Sequence, residues 1–96
     1  MINRVVFSAR VTKGLIKLPV QVRARLQIWV DQVQHHGLEH VRKTPGYHDE
    51  SIHVGPHAGL RSIRLNNAWR AFYVIKSEGT AAFVSVDEIN KHEYDR

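Results

Sequence analysis

The stretch Arg61–Tyr73, reading RSIRLNNAWRAFY, constrains this chain more than any other. Arg61, Ile63 and Leu65 alternate with Ser62 and Arg64, Asn66-Asn67-Ala68 interrupts, and Trp69–Ile75 resumes as a β-branched and aromatic run. Period-2 alternation on both sides of a short Asn-containing break is what two adjacent antiparallel strands require. Successive strand side chains point to opposite faces, so Arg64 leaves the sheet on the side away from Ile63 and Leu65. Arginine is thereby displayed on a rigid platform.

The rest of the chain supplies partners for that hairpin. Val5, Val6 and Phe7 predict an opening strand within Asn3–Phe7, and Ser8 is placed to cap a helix starting at Ala9. Val11, Leu15 and Leu18 share one helical face; Pro19 ends this first helix and suits the first turn of a second. Val22, Leu26, Trp29 and Val33 repeat at helical spacing as a stripe that should pack on the sheet, and Gly37 closes the helix behind His35 and His36. From Leu38 to Gly59 periodicity gives way to Pro and Gly, which predicts a connecting loop with a short strand at Ser51–Val54. Ser77–Thr80 reads as a turn, Ala81–Val86 as a third strand of a meander, and the tail from Asp87 as a short helical turn capped by Asp87. A strand, a helical hairpin and then an antiparallel meander define an α+β fold with helices on one sheet face and the other face open. Ninety-six residues, 43% of them hydrophobic, suffice for one core, so residues 1–96 are expected to form one domain.

Charge narrows the partners. Fourteen Lys and Arg against nine Asp and Glu give a formal +5, which favours a polyanion: nucleic acid, anionic lipid or an acidic protein. Before His35 the chain has Arg4, Arg10, Lys13, Lys17, Arg23 and Arg25 against Asp31 alone. Lys13 and Lys17 beside an arginine-bearing sheet are candidates to line a groove for phosphates; the plain alternative is a solvated helix face. The chain contains no cysteine, hence no disulfide or thiolate metal site, in keeping with a reducing cytoplasm. No apolar run approaches about 18 residues, so no membrane span is expected. His36 and His40, and likewise His53 and His57, have the spacing of a two-histidine metal clamp, but Gly37 and Pro56 interrupt the helices it needs. No metal or other cofactor is expected, and the absence of a Gly-rich phosphate loop disfavours nucleotide hydrolysis.

The basic βαα opening, the strand pair GLRSIRLNNAWRAFYVI and the segment FVSVDEINKHEY together resemble the RelE/HigB branch of the RelE/ParE toxin superfamily, the toxins of bacterial type II toxin–antitoxin modules. The resemblance runs over essentially the whole chain, with its specific part at residues 59–94. It implies a microbial-ribonuclease-like fold and a toxin that cleaves mRNA on the ribosome without a metal. It also implies a cognate antitoxin, in a hetero-oligomeric complex that binds its own operator through the antitoxin. The ParE branch of the superfamily poisons DNA gyrase instead, and a catalytically weak relative that only binds RNA or antitoxin is a third possibility. Fold alone does not choose among them.

RNA cleavage through the ribose 2′-hydroxyl needs a base, an acid for the leaving 5′-oxygen and cations for the phosphorane. The resemblance assigns Arg70, in the Trp-Arg pair, to the scissile phosphate, with Arg64 on the preceding strand sharing that work. It assigns His92 to proton transfer as the acid, and Tyr94 to stacking on a base or positioning the phosphate. Arg61 and Lys91 are further candidates for RNA binding. Relatives carry a lysine in a Pro-Leu-Lys-Gly-like stretch where this chain reads Glu50-Ser51-Ile52-His53-Val54-Gly55; His53 in the lysine's place either serves as base or marks a weakened nuclease. Alternation sets Arg70 on the face of Phe72 and Val74, which a bulge or a partly apolar open face would reconcile.

Overall fold

The computed structural model describes residues 1–91. The expected β-α-α-β-β-β order is present with short additions: β1 (Val5–Phe7), α1 (Ala9–Gly14), α2 (Val20–His36), α3 (Leu38–Val41), β2 (Glu50–Ser51), β3 (Arg61–Arg64), β4 (Trp69–Glu78) and β5 (Ala81–Lys91). They form one five-stranded sheet in the order β1-β5-β4-β3-β2, antiparallel except that β1 runs parallel to β5. No described helix is long and apolar enough to cross a membrane.

Local chemistry explains the helices. The Ser8 hydroxyl accepts from the Val11 amide at 3.2 Å, capping α1, and donates to the Asp87 carbonyl at 3.1 Å, fastening that cap to β5. Leu15–Lys17 tightens into a 3-10 turn, and Pro19 stands at the N-cap of α2 rather than inside its first turn. Along α2 the stripe Val22, Leu26, Trp29 and Val33 is buried, with Val30 beside it. Trp29 meets Tyr73 of β4 with ring centroids 5.5 Å apart. Gly37 ends α2 at φ 85°, with its amide on the Val33 carbonyl at 2.8 Å. A side chain there would also strike Met1, since a Cβ would lie 2.5 Å from its Cγ.

Helix residues and the strand residues Ile63, Ala71, Tyr73, Val84 and Val86 make one core on one side of the sheet. The hairpin turn is closed by Asn66, whose Oδ1 accepts from the amides of Ala68 and Trp69, both at 2.8 Å. Two expectations are corrected. The segment before the hairpin holds β2 at Glu50–Ser51, not a strand over Ser51–Val54, and also contains α3. The segment after Val86 is not a helical turn capped by Asp87: β5 continues to Lys91. Between Phe72 and Tyr73 the β4–β5 register slips by one, Phe72 facing Glu88 and Tyr73 facing Val86, so Asp87 is the extra residue of a bulge.

Candidate functional site

The register places Ser62, Arg64, Arg70, Phe72, Glu88 and Asn90 on the face away from the helices, since Ser62 pairs with Phe72, Arg64 with Arg70, Phe72 with Glu88 and Arg70 with Asn90. The expected tension between Arg70 and its apolar neighbour is resolved by a partly apolar open face. Phe72 shares that face and is buried by the loop connecting β2 to β3. That loop, residues 52–60, folds back on itself: the Ile52 amide donates to the Leu60 carbonyl and the Gly59 amide to the Ile52 carbonyl, both at 2.9 Å. Gly55 and Gly59 make the reversal at φ 82° and 93°, in space that would admit a Cβ, so the backbone angle rather than crowding requires glycine.

Closure of the loop leaves a cleft of about 430 Å³ between it and the sheet, walled by Glu50, Ile52, His57, Ser62, Arg70, Phe72, Asn90 and Lys91. Its floor carries Arg70, held by the Ser62 hydroxyl at 2.8 Å from Nη2 and 3.1 Å from Nε, with Glu50 Oε1 at 3.3 Å. The His57 ring lies over the Phe72 ring at 4.1 Å between centroids and 11° between planes. His57 Nε2 is paired with Glu88 Oε2, which also accepts from the Asn90 amide. Arg10 of α1 reaches the other oxygen of Glu88. Burial alone would push the Glu88 carboxyl up, but the hydrogen bond and charge of His57, the Asn90 amide and Arg10 together hold it below its ordinary range. A fixed cation and an imidazole thus line one cavity, with the ionised Glu88 carboxylate paired to the imidazole from outside the cavity wall, the set from which phosphate binding and proton transfer are built.

The expected site residues are not gathered in one place. Arg70 and Lys91 line the cleft. Arg64 is directly across from Arg70 in the ladder, on the same face. Arg61 and His53 do not line it: Arg61 faces the helices, donating to Asp49 at 2.7 Å and to Ser51, and exposed His53 lines a separate groove with Val74 and Ile75. Lys13 on α1 and Lys17 in the following 3-10 turn are exposed and stand apart from the cleft. His92 and Tyr94 lie outside the described residues. Sequence reasoning missed His57 as a site residue, along with Glu88 and Asn90. His57 had entered only as half of a disfavoured two-histidine clamp, its position between two glycines in a loop being the other signal, and Glu88 and Asn90 were hidden by reading their strand as a tail.

No protein-family model matches the sequence, and no curated protein sequence matches it either. Solved structures do. A chain of the archaeal RelE–RelB complex from Pyrococcus horikoshii superposes with a TM-score of 0.68 at 18% identity, over 95% of this chain and 96% of that one. The YoeB/ParE toxin from Agrobacterium tumefaciens gives 0.64 at 14% identity over 94% and 99%. A chain of the YoeB–YefM complex from Staphylococcus aureus gives 0.63 at 14% over 98% and 99%. The chain therefore has the fold of the RelE/ParE toxin superfamily.

Proposed function

We infer that this chain is the toxin of a type II toxin–antitoxin pair and that it is a metal-independent endoribonuclease acting on mRNA at the ribosome. The observation that carries this is the cleft on the open sheet face, in which Arg70 and Lys91 adjoin the His57 imidazole, itself paired with Glu88. Structures of the same fold, solved with RelB and with YefM, support an antitoxin partner here. A permanently charged, planar donor already braced by Ser62 suits a phosphorane, because it needs no reorganisation as charge develops. Arg70 holds the scissile phosphate, Arg64 and Lys91 supply further positive charge, and His92, next in the chain to Lys91, delivers the proton to the leaving 5′-oxygen.

Induced expression of wild type, Arg70→Ala and His92→Ala, with growth and cellular mRNA 5′ ends followed together, tests the reading. Growth arrest with new cuts inside reading frames, both lost in the variants, is the expected result. Arrest with intact mRNA and damaged DNA would replace the ribonuclease with a gyrase poison of the ParE kind.

A further inference from the structure

The cleft holds a histidine that neither the hairpin pattern nor the family resemblance singled out. His57 is fixed from two directions: its plane by the stacked Phe72 ring, and its edge by Glu88 at Nε2. Glu88 is itself immobilised, by Asn90 on one oxygen and Arg10 on the other. An imidazole with no role beyond closing a loop has little need of so complete a support, whereas one that must gain and lose a proton in a set orientation does. With Nε2 engaged by the carboxylate, Nδ1 is the nitrogen left to exchange a proton.

We propose that His57 is the general base of this cleft, with Glu88 as its positioning residue, acting on an RNA whose 2′-hydroxyl attacks the adjacent phosphate. The assignment rests on the ribonuclease reading above. As the O2′–P bond forms, the hydroxyl proton passes to His57 Nδ1. The P–O5′ bond then breaks, and the 5′-oxygen takes its proton from a separate acid. The products are a 2′,3′-cyclic phosphate and a 5′-hydroxyl, with no oxidant or co-reactant needed. Glu88 faces the imidazolium formed in this step and offsets its charge, in the way a carboxylate serves a catalytic histidine on other folds. Among the described residues, the other charged groups around the ring are Arg10 behind Glu88, Arg70 on β4, Glu50 on β2 and Lys91 at the end of β5.

The test is single-turnover cleavage of an mRNA bound on programmed ribosomes, from pH 5.5 to 9, by wild type, His57→Gln and Glu88→Gln, each confirmed folded by circular dichroism. His57→Gln is expected to cut about 100-fold to 10,000-fold more slowly and to lose the acid limb of the profile. Glu88→Gln is expected to lose less and to shift that limb to lower pH, because the imidazolium loses its counter-charge; a merely structural Glu88 would lower the rate without moving the limb. Wild type that cuts while His57→Gln cuts at the same rate with the same limb overturns the assignment alone. Wild type that leaves the mRNA intact overturns the ribonuclease reading and the assignment with it.

Discussion

Arg61 and Arg70 sit on adjacent strands, and each holds one of two consecutive carboxylates, yet they do opposite work. Arg61 faces the helices and bonds Asp49, whose side chain is 1% exposed; Arg70 faces the cleft and meets Glu50, whose side chain is 67% exposed. Asp49 also accepts from the Tyr73 hydroxyl, and burial together with that bond pushes the phenol well above its ordinary range, so it remains a donor. On Arg61, burial opposes the charge, and the bond and charge of Asp49 outweigh it. One arginine is locked into a largely buried triad that ties the chain just before β2 to β3 and β4. The other has a partner that water can replace, and so can a phosphate. The contrast shows why residue type alone did not separate a buried brace from an arginine open to the cleft: the carboxylate's burial separates them.

The largest expected effect breaks the brace. Asp49→Ala leaves a guanidinium and a phenol without their acceptor and should lower stability by about 3 kcal/mol, since removing one member of a buried pair strands the others. Glu50→Ala should change it by no more than about 0.5 kcal/mol, as exposed pairs contribute little. Urea midpoints at unchanged slope measure both, and equal losses would dissolve the distinction between the two arginines. Next, Arg70→Ala should slow mRNA cleavage about 100-fold, roughly 2.7 kcal/mol of transition-state stabilisation, while leaving the fold intact. An unaltered rate would move the phosphate site elsewhere. Smaller still is Gly59→Ala: a side chain at φ 93° costs about 1–2 kcal/mol even in open space, and it should appear as faster amide exchange in the 52–60 loop while the core stays protected.

What could be read from the sequence divides along a similar line. Helices and the hairpin were legible because their information is local: Val22, Leu26, Trp29 and Val33 repeat at helical spacing, and Asn66 carries its own turn chemistry. The end of β5 was not. Val86 and Ile89 are three residues apart, a helical interval, and yet both face the core of a strand because the bulge at Asp87 resets the alternation between them. A bulge depends on the partner strand, so nothing within DEINK announces it. Nor could local pattern show that β1 would pair with β5, some eighty residues downstream, or that α1 would bring Arg10 to Glu88. Arg70's place on the open face was legible because its strand was; His57's place was not, because two glycines and a fold-back of the chain, rather than any periodicity, carry it onto Phe72.

The smallest effect sharpens the comparison on the open face. Glu88 is ionised below its ordinary 4.5 because folding surrounds it with His57, Asn90 and Arg10. A carboxyl whose folded value is depressed stabilises the native state fully above its unfolded value and loses that contribution as pH falls through the folded one. Wild type should therefore exceed Glu88→Gln in stability by about 1 kcal/mol or less at pH 7, the bound set by the partial exposure of the cluster. The difference should begin to shrink as pH drops past 4.5 and vanish once Glu88 is protonated in the folded protein too. Paired urea titrations at descending pH measure it. A difference independent of pH would mean that Glu88 acts through shape, and a difference growing toward acid would reverse the sign required by its cationic neighbours. The expected decline would show that the carboxylate paired with His57 is held charged by the same contacts that orient the ring, which makes the support of the imidazole an electrostatic one.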